Sequence, residues 1–176
     1  LLNHPKPQYR QEAALAFASV QDTLAIPQLL TTLSDTSAAI RLASAYALGQ
    51  IGHKKAQQAM IRHLQQEKQP VVQAELLEAI GKLADSGGLN FLVNYQAPNE
   101  TAEAGRAWGL YRAGLRQVSN AQAVEQAVQW LVESNSYEVR LAAAHLLART
   151  PKLDLTPYRQ QLTTVVTSDG AAEVRM

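Results

Sequence analysis

The chain has 176 residues, with 16 Lys+Arg against 15 Asp+Glu, four histidines and no cysteine. This near-neutral balance supplies no bulk attraction for nucleic acid or an anionic membrane, and the missing cysteines exclude disulfides and thiolate metal sites. No apolar run approaches the roughly 20 residues that would span a bilayer, and a 47% apolar composition excludes a disordered tail or a collagen.

Self-similarity governs everything else. The segment Tyr9-Arg10-Gln11-Glu12-Ala13-Ala14-Leu15-Ala16-Phe17-Ala18 returns as Ile40-Arg41-Leu42-Ala43-Ser44-Ala45-Tyr46-Ala47-Leu48-Gly49. It returns again from Val72 to Gly81 and, more clearly, from Val139 to Ala148. A sixth copy opens at Val174-Arg175. The anchor position reads Arg10, Arg41, Gln73, Ala104, Arg140 and Arg175, at intervals of 31, 32, 31, 36 and 35. The fourth copy is irregular; its register is set by placing Tyr111 in the column of Leu48. The implied repeats are 3–33, 34–65, 66–97, 98–133 and 134–167, with the start of a sixth over 168–176.

Each unit reads as two helices. In the first (helix A), apolar residues recur at helical spacing, as in Ala14, Phe17 and Ala18. The second (helix B) carries Ile26-Leu29-Leu30-Leu33, then Met60-Ile61-Leu64, Leu89-Leu92-Val93, Val124-Ala127-Val128-Leu131 and Leu162-Val165. Gly52 and Pro151 end A helices, while Pro27 and Pro157 fall in first turns of B helices, where a missing N–H costs little. Ser34-Asp35 and Ser168-Asp169 offer N-caps before A helices, and Asp85-Ser86-Gly87-Gly88 reads as a turn between A and B. No segment alternates with period two for long enough to form a strand, so the fold class is all-α. A pair of short helices cannot bury its apolar stripe alone; stacking successive pairs creates one continuous core. The chain opens at Leu1 and stops inside what reads as a helix, so the expectation is a segment of a longer protein.

Ser34-Asp35, followed by Ile40-Arg41-Leu42-Ala43 and Ala47-Leu48-Gly49-Gln50-Ile51-Gly52, resembles HEAT repeats, and more narrowly the short HEAT-like repeats first noted in phycobilisome lyases. The resemblance covers nearly the whole chain, residues 98–133 least well, and makes 1–176 a single solenoid. It implies a right-handed α-solenoid of about five repeats, with A helices convex and B helices lining the concave side. It also implies binding or scaffolding far more often than catalysis. Residues Leu15 to Asp22 with Ala25-Ile26-Pro27 resemble the HEAT portion of some bacterial cyclophilin-type prolyl isomerases, although no isomerase motif is present.

Catalytic and metal-binding readings find little support. One HEAT-like enzyme class, deoxyhypusine hydroxylase, holds two irons through His-Glu pairs, but His4, His53, His63 and His145 are followed by Pro5, Lys54, Leu64 and Leu146. No two histidines stand at helical ligand spacing, Gly87-Gly88 lacks the Lys-Ser/Thr of a phosphate loop, and no serine sits in a nucleophile elbow. No catalytic residue, cofactor, metal or small-molecule substrate is therefore expected. The recurring arginines read as structural, each bonding a helix end or an acid in the adjoining turn, such as Asp35 beside Arg41.

The B helices hold the candidate binding residues. One column reads Thr31, Arg62, Asn94, Gln129 and Thr163; the next reads Thr32, His63, Tyr95, Trp130 and Thr164. The second column lies about 110° from the centre of the buried stripe, a rim position. Arg62, His63, Asn94, Tyr95, Gln129 and Trp130 thus form a polar, amide-rich surface with an aromatic rung at its middle. The expected partner is a protein or peptide. A nucleic acid would need a basic track, and this rim offers only Arg62 and Arg159 with Glu125 nearby. The alternative is a substrate-positioning region of a larger enzyme such as a cyclophilin-type prolyl isomerase.

Overall fold

The computed structural model describes residues 1–175. Ten α-helices and no strand occur among them. They form five hairpins: α1 (Pro7–Val20) with α2 (Ile26–Thr32), α3 (Ala38–Ile51) with α4 (Gln57–Leu64), α5 (Pro70–Leu83) with α6 (Ser86–Asn94), α7 (Glu100–Leu115) with α8 (Ala121–Glu133), and α9 (Tyr137–Arg149) with α10 (Arg159–Ser168). The odd-numbered A helices stack in sequence, each against the next. The B helices α2, α4, α6 and α8 pack on neighbouring A helices and α10 packs on α8, so one core runs unbroken from Leu2 to Val174. Leu29, Leu48, Met60, Ile80, Leu92 and Leu110 fill its middle. The segment read as a sixth copy forms only a turn over 172–174, and Met176 lies outside the described residues.

The punctuation works as residue chemistry dictates, with local shifts. Gly52 closes α3 at φ 68°, a left-handed conformation that costs glycine nothing. Pro27 sits in the first turn of α2, and Pro151 follows the end of α9. The cap of α3 falls at Ser37 rather than at Ser34-Asp35; Asp35 Oδ1 instead accepts the Ser37 N–H (2.9 Å), bracing the turn just before the helix. Asp85 caps α6 by accepting the Gly88 N–H, so Gly87 and Gly88 lie inside the first turn of that helix, not in a loop before it.

Small residues set the spacing between A helices. The closest pair is α5 and α7. A Cβ on Gly105 would fall within the backbone of Ala74, and one on Gly81 within that of Gly109. The glycines of α7 are therefore what lets this irregular hairpin join the stack, and they outweigh the roughly 1 kcal/mol each costs in a helix interior.

The register of the fourth hairpin differs from the sequence alignment. Counting four residues from each A-helix N-cap gives Arg10, Arg41, Gln73, Glu103 and Arg140, so Glu103 rather than Ala104 occupies the anchor position. Arg106 then takes the core column held elsewhere by Ala13, Ser44, Leu76 and Ala143. A charged residue at a core position is invisible to a hydrophobic pattern, which explains the slip.

Candidate functional site

The recurring arginines are absorbed by the framework. Arg10 Nε and Nη2 donate to Asp35 Oδ2 and Oδ1 (2.7 and 3.1 Å), while Nη1 donates to the carbonyls of His4 and Pro5. Arg41 repeats the clasp with Glu67 (2.7 and 2.9 Å) and the carbonyls of Asp35 and Thr36. Arg140 repeats it with Asp169 and the carbonyls of Ser134 and Asn135. Each arginine thus ties its own hairpin to the turn entering the next. At the third joint the clasp is neutral: Asn99 Nδ2 donates to Gln73 Oε1, and Gln73 Nε2 donates to the Glu67 carbonyl. Arg10 and Arg140 hold the carboxyls of Asp35 and Asp169 below the usual range. For Glu67, burial pushes upward, but Arg41 and the backbone N–H groups of Gln69 and Lys68 prevail and bring it down to about 2.

The histidines are equally local. His4 Nδ1 accepts the Lys6 N–H, in the role Asp35 plays at its own turn. His53 Nδ1 accepts the Lys55 N–H at the entry to α4 (3.2 Å), where the equivalent turns use Asp22, Asp85, Asn120 and Asp154. His63 Nε2 stands 3.5 Å from Glu67 Oε2. His145 of α9 joins Trp108 and Tyr111 of α7 in a cluster of three rings with centroids 5.6 to 5.7 Å apart. Burial, with Arg149 and Arg112 nearby, lowers its pKa. Among the described residues no group of three His, Asp or Glu is placed to hold a metal ion.

The two B-helix columns fare differently. Arg62, Asn94 and Gln129 are exposed, as are Thr31 and Thr163 in the same column. The neighbouring column is not a uniform rim. Thr32 is buried and shares a hydrogen bond with Ser44 (2.7 Å). His63 is half-buried, and Tyr95 is half-buried against Phe91 with ring centroids 5.4 Å apart. Trp130 is only 5% exposed. Its Nε1–H donates to Glu103 Oε1 (2.8 Å), and the Arg106 guanidinium lies 4.9 Å from its ring centroid. The aromatic rung expected at the surface is therefore a plug in the joint between α7 and α8. The longer fourth hairpin and the charged core residue Arg106 turn the indole inward.

That joint contains what the sequence reading missed. Arg106 Nε donates to the Leu92 carbonyl (2.7 Å), Nη2 to the Val93 carbonyl and to Gln126 Oε1, and Nη1 to Glu103. A buried guanidinium thus satisfies the carbonyls that end α6, which no residue of α6 itself could do. The only advance signal is an arginine at a core spacing, opposite the least regular helix. A second feature, on the A helices, is a ribbon in which Lys82 lies over Tyr46 and pairs with Glu78, which also accepts from Arg112 (2.9 Å).

Residues 1–81 match the HEAT repeats family. Over 98 residues the chain is 34% identical to deoxyhypusine hydroxylase-B of Oryza sativa subsp. japonica, covering 54% of this chain. The match spans about a third (32%) of that enzyme's length. Among solved structures, an engineered protein from a structural genomics consortium superposes with a TM-score of 0.63 at 21% identity, covering 99% of this chain and 89% of the other. A designed armadillo repeat protein superposes with a TM-score of 0.58 at 17% identity, covering 99% and 92%. These likenesses support the architecture of stacked helical hairpins.

Proposed function

For this chain, a HEAT-repeat α-solenoid, we propose a non-catalytic role as a scaffold that holds a protein or peptide segment along the concave surface formed by its B helices. The observation that carries this reading is the exposed column Thr31, Arg62, Asn94, Gln129 and Thr163, one residue from each hairpin. The recurring arginines are spent on clasps between hairpins, whereas this column stays open to solvent. Apart from the single cation Arg62, it offers amides and hydroxyls, donors and acceptors without charge, matching a polypeptide better than a phosphate backbone. Tyr95 flanks the column as a half-buried aromatic contact.

The test replaces only exposed residues. Arg62→Ala/Asn94→Ala/Gln129→Ala should keep the wild-type melting temperature and lose a protein captured by the wild-type chain. Retention of every captured protein would move the site off this face.

The hydroxylase likeness favours a second reading, a substrate-positioning region within a larger enzyme. No His-Glu pair exists in this chain, so its own residues would position a substrate protein rather than carry the oxidation. The same surface serves either reading.

A further inference from the structure

Four joints link the five hairpins, three of them clasped, and the last hairpin carries a further clasp onto the turn that follows it. The anchor residue reaches the next turn as Arg10 to Asp35, Arg41 to Glu67, Gln73 to Asn99 and Arg140 to Asp169. The exception is the joint between α7 and α9. There the anchor is Glu103 and the receiving turn presents Ser134, and no hydrogen bond joins them among the described residues. A cleft of about 360 Å³ occupies the place, lined by Asn99, Glu100, Glu103, Arg106, Ser134 and Ser136 among others.

The charge in this cleft is unbalanced. Arg106 is 4% exposed, and its Nε, Nη1 and Nη2 are all engaged, so it has nothing to offer an anion. Arg140, behind the Ser134 turn, is paired with Asp169. Glu103 Oε1 already accepts from Trp130 and Arg106, but Oε2 has only a long contact from Arg106 (3.3 Å). A carboxylate oxygen in that state retains acceptor capacity. Glu100 adds a second negative charge at the mouth.

We propose that this cleft receives the guanidinium of an arginine side chain from a partner protein, completing in trans the clasp that Arg10, Arg41 and Arg140 complete within the chain. The chemistry is that of the chain's own joints: a planar guanidinium between a carboxylate and the polar groups of a turn. A lysine ammonium fits less well, because it cannot pair in parallel with a carboxylate. The site lies on the turn between B and A helices and is argued independently of what occupies the B-helix column.

The Trp130 indole N–H, which donates to Glu103, is a built-in reporter. Acetyl-arginine-methylamide titrated into the ¹⁵N-labelled chain should move the Trp130 indole resonance along a saturable curve, with a Kd on the order of millimolar. The neutral isostere acetyl-citrulline-methylamide and the lysine counterpart should bind at least about tenfold more weakly, the loss expected when one charged pairing is removed. Glu103→Gln keeps acceptors for Trp130 and Arg106 and should abolish arginine binding with helicity unchanged. Ser134→Arg, which supplies a guanidinium within the chain, should block the probe and raise the melting temperature. The proposal is overturned if no saturable shift occurs, if citrulline or lysine binds as well as arginine, or if either variant leaves arginine binding intact.

Discussion

Glu67 offers the sharpest test of the clasps. Its side chain is 2% exposed and accepts from Arg41 at 2.7 and 2.9 Å and from the Lys68 and Gln69 N–H groups. Burial alone would raise its pKa; these four donors bring it from 4.5 to about 2. At about 1.4 kcal/mol per pH unit, that depression corresponds to about 3 kcal/mol of stability. The folded value lies below the unfolded one, so the contribution is present above pH 4.5 and is lost as pH falls towards 2. Protonated glutamic acid and glutamine are near-isosteres. Glu67→Gln should therefore cost about 3 kcal/mol in urea unfolding at neutral pH, and less than half of that at about pH 3. Other carboxylates titrate in both proteins and cancel in the difference. A difference that stays constant from about pH 7 to 3, or a neutral-pH cost below about 0.5 kcal/mol, would refute the reasoning.

Further outcomes follow from packing and capping. Gly105→Ala should destabilise by about 1–3 kcal/mol in chemical denaturation, because the new Cβ would meet the Ala74 backbone and force α5 and α7 apart. A stabilising effect, as helix propensity alone would give, would contradict that packing. Trp130→Ala should cost about 3–5 kcal/mol and visibly lower the melting temperature, whereas Asn94→Ala should stay within about 0.5 kcal/mol of wild type. His53→Asp should preserve or raise stability by up to about 1 kcal/mol, since aspartate fills the same role in the equivalent turns, while His53→Ala should lose about 1 kcal/mol. In solution scattering, the radius of gyration should clearly exceed the roughly 16 Å of a compact chain of this length.

The architecture was legible because it is written in local chemistry repeated several times. Ala14, Phe17 and Ala18 recur at helical spacing, Gly52 and Pro151 stop helices, and the periodic arginines serve the period itself. The two largest departures from the sequence pattern trace to the fourth hairpin. Arg106 stands where a hydrophobic column predicts an apolar residue, so aligning by hydrophobicity moved the anchor from Glu103 to Ala104. Trp130 was placed at a rim by its angle on a helical wheel, but the angle is measured against one helix, and Glu103 and Arg106 of α7 cover the indole from another. The offset of Asp35 from the cap of α3 has a similar origin: its carboxylate serves both a turn N–H and the arginine of the preceding hairpin, which sequence spacing alone does not reveal.

The proposed seating of a partner protein on the B-helix column can be trapped covalently. A photo-crosslinking residue placed singly at Arg62, Asn94 or Gln129, and as a control at Leu15 on an A helix, would test it directly in extract from the source cells. The account predicts that one and the same protein is trapped from all three B-helix positions and not from Leu15. Adducts formed only from Leu15, or unrelated adducts at each position, would contradict it.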